Sequence, residues 1–148
     1  MNINLQQATS DDWQEVGDIK GKSSSQYFKA LTDKTELIDY VSKNKVFFVL
    51  YNGDKVGTVG LGYLSDSTIQ LEGLNIIPIY RKLGLGQKTL EEVLKLIAKD
   101  NPKKIVLKVH PKNILALFLY MKNGFIVTGY LENYFGDGEP RLAMEKVL

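Results

Sequence analysis

The chain has 148 residues, of which 44% are hydrophobic, and this length predicts one domain over residues 1–148 with a single core. The net charge is +2, and acidic and basic residues alternate along the chain, so a broad basic field for nucleic acid is missing. With no cysteine and a single histidine, His110, the sequence excludes disulfides and thiolate nucleophiles and disfavours a metal site.

The sequence predicts a protein that works away from membranes. No stretch approaches the ~20 apolar residues that a membrane helix needs. The N-terminal stretch MNINLQQATSDDWQEVGD carries acids early and has no apolar run of signal-peptide length. We therefore expect a soluble, cytoplasmic protein that binds neither membrane nor nucleic acid.

The N-terminal part of the chain predicts helices. Residues 9–19 begin with a Ser/Thr/Asp cap and place Trp13 and Val16 on one helical face. Residues 22–31 and 32–44 predict one or two further short helices.

Strands follow, beginning with a hairpin. Val46 to Tyr51 and Lys55 to Leu64 alternate as strands do, and Asn52-Gly53 between them supplies the positive backbone dihedrals of a tight turn. Residues 67–77 predict a third strand whose alternation slips by one residue around Glu72-Gly73. Such a slip predicts a β-bulge, a feature that often bends a strand beside a functional site.

The rest of the chain alternates between helix and strand. It predicts a helix from Leu85 to the KDNP segment, a strand at 103–109, a helix between a cap at Asn113 and Gly124, and strands at 125–131 and 141–148. This order indicates an α/β fold, with a mixed, mostly antiparallel sheet of six to seven strands and helices on both faces.

A glycine-rich corner joins the third strand to the helix that begins at Leu85. A P-loop requires glycine, lysine and a hydroxyl residue in succession, and here Gln87 separates Gly86 from Lys88. A dinucleotide fingerprint requires a glycine at position 89, which is threonine. The corner nevertheless combines glycines that expose the backbone, the start of a helix, and the cations Arg81 and Lys82. These features together would suit a bound pyrophosphate. On these residues alone, a simple glycine-rich turn is an equally good interpretation.

Two motifs together resemble the GNAT superfamily of acetyl-CoA-dependent N-acetyltransferases. One is Gln/Arg-x-x-Gly-x-Gly/Ala after a proline turn, and the other is an asparagine with an alanine three residues on, then Leu-Tyr and Gly-Phe. The matching residues are Pro78, Arg81 to Gly86, Asn113, Ala116, Leu119-Tyr120 and Gly124-Phe125. The resemblance covers essentially the whole chain. It implies a GNAT-type fold in which the bulged strand splays from its parallel neighbour and acetyl-CoA lies in the resulting V.

The resemblance also implies a set of cofactor contacts. Backbone groups of two residues would meet the pantetheine, a loop would hold the pyrophosphate, and two side chains of the second motif would approach the pantetheine arm and sulfur. These residues are, in that order, Ile76 and Ile77; Arg81, Lys82, Leu83, Gly84, Leu85, Gly86 and Gln87; and Asn113 and Tyr120.

The implied reaction is attack of a neutral primary amine on the thioester of acetyl-CoA. Glu72, the carboxylate at the bulge, is the candidate base, with His110 or water as alternatives. Tyr120 is the candidate acid for the leaving thiolate. Relatives that acetylate ribosomal-protein N-termini carry a glutamate base at the position of Lys108, so the lysine puts that substrate and that scheme in doubt.

The acceptor is a small-molecule or peptide amine that the sequence does not identify. Tyr27, Phe28, Tyr134 and Phe135 are candidates for its pocket, and ordinary aromatic packing explains them equally well. A non-catalytic acyl-CoA-binding module on the same fold is the main alternative function. A phosphate-binding, kinase-like protein is a second alternative, which the broken P-loop spacing disfavours. A homodimer is compatible with the sequence, which fixes no interface.

Overall fold

The computed structural model describes residues 2–23 and 31–148. Within them lie seven strands and four α-helices. The strands are β1 (Ile3–Gln7), β2 (Lys45–Tyr51), β3 (Asp54–Tyr63), β4 (Thr68–Ile76), β5 (Lys104–Val109), β6 (Ile126–Leu131) and β7 (Arg141–Val147). The helices are α1 (Trp13–Lys22), α2 (Lys34–Lys43), α3 (Leu85–Ala98) and α4 (Ile114–Lys122). None of the described helices is both long and apolar enough to cross a membrane.

The strands form one sheet in the order β1-β2-β3-β4-β5-β7-β6, and β4 and β5 are its one parallel pair among the described strands. The mixed, mostly antiparallel α/β fold is therefore confirmed. The hairpin turn is also confirmed, because Asn52 and Gly53 both have positive φ, of 51° and 88°.

The strand β1 was not predicted, because its five residues carry only two apolar side chains, Ile3 and Leu5, and its pairing with β2 cannot be read locally. The helix expected over residues 22–31 falls largely on residues 24–30, which lie outside the described residues.

Each face of the sheet has its own apolar cluster. On one face, α3 and the buried Tyr120 of α4 pack over the central strands. On the other face, α1 and α2 pack over β2. Leu85, Leu90, Val93 and Ile97 form the apolar stripe of α3, and Val16, Ile19, Leu37 and Val41 form those of α1 and α2.

The predicted bulge lies in β4. Thr58 pairs with Asn75 and Gly60 pairs with Glu72, so two residues of β4 oppose one residue of β3. Gly73 takes the left-handed conformation there, with φ of +57°. The extra residue lets β4 keep its apolar side chains on the α3 face on both sides of the bulge. Those side chains are Ile69, Leu71, Leu74 and Ile76.

Beyond the bulge, β4 and β5 separate. Their pairing is limited to three residue pairs, from Thr68 with Lys104 to Gln70 with Val106. β4 nevertheless continues to Ile76 and β5 to Val109. The V-shaped opening implied by the resemblance is therefore present at the carboxyl ends of the two strands.

We expect Gly73→Ala to destabilise the fold by about 1–3 kcal/mol. The side chain would be strained at a φ of +57°, and its Cβ would lie 2.8 Å from Nζ of Lys20. Urea denaturation would measure the loss. The matched control is Gly21→Ala in α1, where an added Cβ meets none of the described residues within 4 Å. Equal stability of both variants and the wild type would contradict this account of the bulge.

Candidate active site

The glycine-rich corner presents backbone N–H groups at the start of α3. Lys82 and Gly84 both take left-handed conformations, with φ of 66° and 77°, and they turn the chain sharply into the helix. Gly84 is the N-cap and provides no side-chain cap, and the first intrahelical bond runs from the Lys88 N–H to the Gly84 carbonyl. The three N–H groups before it belong to Leu85, Gly86 and Gln87. Such a helix start favours an anion.

The packing of the described residues does not require a glycine at position 86. Among them, a Cβ built on Gly86 would meet only Cδ2 of Leu119, at 3.7 Å, which is an ordinary contact, and the φ of Gly86 is not in the left-handed region. The absence of a side chain therefore leaves surface at the helix start to which a ligand can come close.

The end of β4 is tied to this corner. Nε of Arg81 donates to the Ile76 carbonyl at 3.0 Å, which holds the guanidinium between the corner and the strand. Both backbone groups of Ile77 are engaged within the chain: its N–H donates to Val56 at 2.8 Å and its carbonyl accepts from Tyr80 at 2.9 Å. Ile76 is therefore the better candidate for a contact with a ligand, because its carbonyl is engaged by the Arg81 side chain, whereas both backbone groups of Ile77 are bonded to other backbone groups.

Gln87 has a side-chain role that the sequence did not reveal. It exchanges two hydrogen bonds with the amide of Asn123, of 2.9 and 2.8 Å, and Asn123 also donates to the Leu119 carbonyl. This amide pair ties the start of α3 to the end of α4. The side chain of Gln87 is therefore used between helices, and its backbone N–H remains part of the corner.

The second predicted motif forms α4. Oδ1 of Asn113 accepts from the Ala116 N–H at 3.3 Å and caps the helix, which leaves its amide nitrogen to donate elsewhere. Tyr120 is buried on the α3 face with its ring edge against Phe125, at 5.6 Å between centroids. Burial raises the pKa of Tyr120 to about 12, so the phenol is protonated at neutral pH.

Glu72 lies on the opposite face, beneath α1 and α2. Its Oε1 is 3.2 Å from the position that a Cβ on Gly62 would take, so this glycine makes space for the carboxylate. Burial raises the pKa of Glu72, and the positive charge of Lys20 opposes this rise. A carboxylate with a raised pKa is a better base than an exposed one.

Lys20 is the main residue of this region that the sequence analysis missed. It is only 4% exposed, and Nζ lies 4.6 Å from the centroid of the Tyr40 ring. Burial lowers the pKa of Lys20 from 10.5 to about 8, against the opposing charge of Glu72. Lys20 follows Trp13 and Val16 at helical spacing, so the sequence places a cation on the apolar stripe of the helix. That position was the signal by which a buried lysine could have been predicted.

Lys108 of β5 lies across the opening from Glu72. Gln70 pairs with Val106, and side chains two residues apart in a strand point to the same face. Glu72 and Lys108 therefore lie on the same face of the sheet. Nζ of Lys108 lies 5.0 Å from the centroid of Tyr134, in the loop between β6 and β7. This contact brings one predicted acceptor residue to the edge of the V.

His110 is poorly placed to act as a base. It is 3% exposed, and its Nδ1 accepts a hydrogen bond from the Lys112 N–H at 3.0 Å. The lone pair that a neutral imidazole would offer is thereby used, and Nε2 lies 3.7 Å from Glu139. Of the two side chains considered as the base, Glu72 therefore fits better.

Arg141 organises the loop between β6 and β7. Its guanidinium is buried, donates to Asp137 at 2.8 Å and lies 4.9 Å from the ring of Phe135. The adjacent rings of Tyr134 and Phe135 meet edge to face at 4.7 Å and stay largely exposed. The other two predicted acceptor residues, Tyr27 and Phe28, lie outside the described residues.

Comparison with known proteins agrees with this geometry. A model of the acetyltransferase (GNAT) family matches residues 5–125. Three solved structures superpose over nearly the whole chain. The ribosomal-protein-S18-alanine N-acetyltransferase of Escherichia coli has a TM-score of 0.83 at 19% identity, covering 99% of this chain and 94% of its own. A chimera of the spermidine N-acetyltransferase SpeG from Vibrio cholerae and hSSAT has a TM-score of 0.83 at 18% identity, covering 99% and 96%.

The third structure is a GNAT family acetyltransferase from Elizabethkingia anophelis with acetyl-CoA bound. It has a TM-score of 0.79 at 20% identity and covers 99% of both chains. At such identities the superpositions establish the fold alone, and the GNAT-type fold that the two motifs implied is confirmed. The family match, which covers most of the chain, confirms the expected use of acetyl-CoA.

The buried ammonium of Lys20 should make the fold more stable as the pH rises above about 8. An unfolded lysine keeps its proton up to pH 10.5, whereas the folded protein releases it near 8. The unfolded state therefore binds more protons in this range, and the penalty is complete below pH 8 and absent above 10.5. We expect the free energy of unfolding to rise by up to about 1.4 kcal/mol per pH unit, measured by urea denaturation.

The control for this prediction is Lys20→Met, which should abolish the rise. The comparison should stop near pH ~9.5, because burial also raises the pKa of Tyr40 and Tyr120, and these phenols lower stability above their ordinary pKa of 10.0. The same slope in Lys20→Met and the wild type would show that the lysine is not the source.

Proposed function

The chain belongs to the acetyltransferase (GNAT) family, and from that premise we propose that it transfers the acetyl group of acetyl-CoA to a primary amine. The observation that carries the proposal is the V between β4 and β5, with the uncapped start of α3 beside it. An extended anionic thioester fits such a site, because the opening exposes strand backbone and the helix start attracts phosphate.

In this proposal the corner from Arg81 to Gln87 holds the pyrophosphate through backbone N–H groups and the charges of Arg81 and Lys82. Ile76 offers backbone to the pantetheine arm from the β4 side. The amide nitrogen of Asn113, free of the capping bond, donates from the α4 side. Gly86 supports this placement, since the described residues would leave room for a side chain at that position.

Acetyl-CoA supplies an activated acetyl carbon, and the residues of the V manage the protons. The amine nitrogen forms a bond to that carbon, the carbon–sulfur bond breaks, and the amine proton passes to Glu72 directly or through water. An α-amino group near pKa ~8 loses about 1 kcal/mol to deprotonation at pH 7, and a lysine near ~10.4 loses about 4–5. The raised pKa of Glu72 makes it a base that helps either acceptor.

Tyr120 acts on the departing sulfur in this scheme. With a pKa of about 12, it stays protonated and donates a hydrogen bond to the developing thiolate. Full transfer of the phenolic proton to a thiolate whose pKa is near ~8.5 would be uphill by about 5 kcal/mol. We therefore assign Tyr120 the role of a hydrogen-bond donor that stabilises charge on sulfur, and the thiolate takes its proton from solvent after release.

The acceptor is a small-molecule amine, a peptide or protein N-terminus, or a lysine. Asp137 does not serve to attract a cationic acceptor, because its carboxylate is paired with Arg141. Lys20 and Lys108 put two cations on the face where Glu72 lies. That charge disfavours a polyamine and favours an amine whose remaining groups are neutral or acidic.

We expect Gly86→Glu to weaken acetyl-CoA binding at least about tenfold without weakening the fold. A carboxylate in the first turn of α3 favours the helix dipole but repels a pyrophosphate at the same place. Isothermal titration with acetyl-CoA would measure the affinity, and thermal unfolding without ligand would measure stability. The control is Gly86→Ala, whose methyl group the motif tolerates and which should retain binding. Unchanged affinity in Gly86→Glu would move the pyrophosphate away from this corner.

We expect Glu72→Gln and Tyr120→Phe each to lower kcat about 10²–10³-fold while changing the Kd for acetyl-CoA little. Both variants keep the size of the side chain and remove one proton-handling group. Release of coenzyme A thiol, measured against a panel of peptide N-termini, lysine derivatives, amino acids and polyamines, gives the rates. Tyr130→Phe on the exposed part of β6 is the matched control and should behave as the wild type. Tight acetyl-CoA binding with no turnover on any amine would favour the acyl-CoA-binding module instead.

A further inference from the structure

Three polar side chains occupy spaces that glycines leave open in the sheet beneath α1 and α2. In each case a Cβ on the glycine would meet or closely approach the polar group. The pairs are Lys20 Nζ with Gly73 at 2.8 Å, Glu72 Oε1 with Gly62 at 3.2 Å, and the Tyr40 hydroxyl with Gly60, where the two would collide. A buried polar cluster that needs three glycines costs stability, which calls for a function.

Lys20 lies at the centre of this cluster. Its ammonium group passes under the bulge of β4, next to Gly73, and lies over the ring of Tyr40 at 4.6 Å. Glu72 directly precedes Gly73 in the strand, so the ammonium and the carboxylate flank the same bulge. The electrostatic interaction between them raises the pKa of Lys20 and lowers that of Glu72, in each case against the larger effect of burial.

We infer that Lys20 is a positioning residue for the proposed acetyl transfer: from beneath the bulge, its positive charge keeps Glu72 ionised and ready to accept the amine proton. The inference rests on the proposed function, and it goes further by naming the group that sets the protonation state of the base. Lys20 itself does not touch the reacting atoms in this assignment.

The other groups around Glu72 do not supply this charge. From α2 comes Tyr40, which is neutral at its ordinary pKa of 10.0, and burial raises that pKa further. From β3 come Thr58 and two glycines, which carry no charge. On β5, Lys108 is directed to the ring of Tyr134, and His110 lies against the Lys112 amide and Glu139. Lys20 is the cation that acts on the Glu72 carboxylate among the described residues.

The decisive experiment measures the Glu72 carboxyl group directly, so it requires no acceptor. The Cδ resonance of Glu72 in protein labelled with ¹³C-glutamate is assigned by its loss in Glu72→Gln and is followed from pH ~4.5 to ~9. In Lys20→Met, whose unbranched side chain is one atom shorter and uncharged, the apparent pKa should rise by about one unit or more relative to the wild type. Lys20→Arg keeps the charge and should leave the Glu72 pKa close to the wild-type value. Lys43→Met removes an exposed lysine of α2 and should have no effect.

A second readout connects the charge to the reaction. With the best amine of the panel, the ascending limb of kcat/KM against pH should move to higher pH in Lys20→Met by the same amount as the carboxyl titration. For a shift of about one unit, the rate should fall about tenfold at a pH below the carboxyl pKa of both proteins and recover at higher pH. A merely structural role would lower the rate equally at all pH values.

The outcomes separate the inference from the proposed function. If Lys20→Met leaves the Glu72 titration unchanged, or if Lys20→Arg shifts it as far as Lys20→Met, the inference is wrong whatever the enzyme acetylates. If the titration moves and the pH–rate limb does not, Glu72 is not the base and Lys20 has no part in the reaction. If no amine is acetylated by the wild type, the proposed function fails, and the carboxyl titration still reports whether the two charges are coupled.

Discussion

The separation of β4 from β5 is the constraint on which the rest of the structure depends. Parallel strands stay paired unless something bends one of them, and here a single extra residue at Gly73 does so. Pairing ends at Gln70, and the remaining length of both strands borders an opening instead of a ladder. The same residue keeps the apolar face of β4 in register with α3 and leaves Glu72 on the face covered by α1 and α2. One insertion thus creates the cleft, preserves the core and places a carboxylate.

This arrangement lowers stability in one small region of the fold. Lysine and glutamate side chains lie where apolar side chains would be more stable, and burial shifts the pKa of both in the direction that favours the uncharged form. Each charge offsets part of the cost of the other, although Lys20 is buried and Glu72 only partly so. Tyr40 and Thr58 complete the cluster and remain neutral. The apolar clusters under α3 and under α1 and α2 supply stability that offsets the cost of this polar cluster.

Much of this could be predicted from the sequence, because the evidence was local. The slip in alternation at Glu72-Gly73 indicated the bulge, and the Asn-Gly pair indicated the hairpin turn. What could not be predicted depends on contacts between distant segments. The bonds of Gln87 with Asn123 join residues 36 apart in the chain, and β1 is defined by a partner strand forty or more residues away. Lys20 is an intermediate case. Its position on the apolar stripe of α1 could be read from the sequence. Its contact with the glycines of the sheet could not, because that contact depends on how α1 packs on β3 and β4.

The two groups proposed to handle protons lie on opposite faces of the sheet, and this separation has a chemical consequence. Tyr120 is surrounded by the apolar side chains of the α3 face, so its pKa rises and it remains a donor. Glu72 lies in a polar cluster with a cation beside it, so the rise of its pKa is held back and it remains an acceptor. Burial favours the protonated form of both groups. The cation beside Glu72 opposes that effect on one side only, which favours a base at Glu72 and a donor at Tyr120 at the same pH.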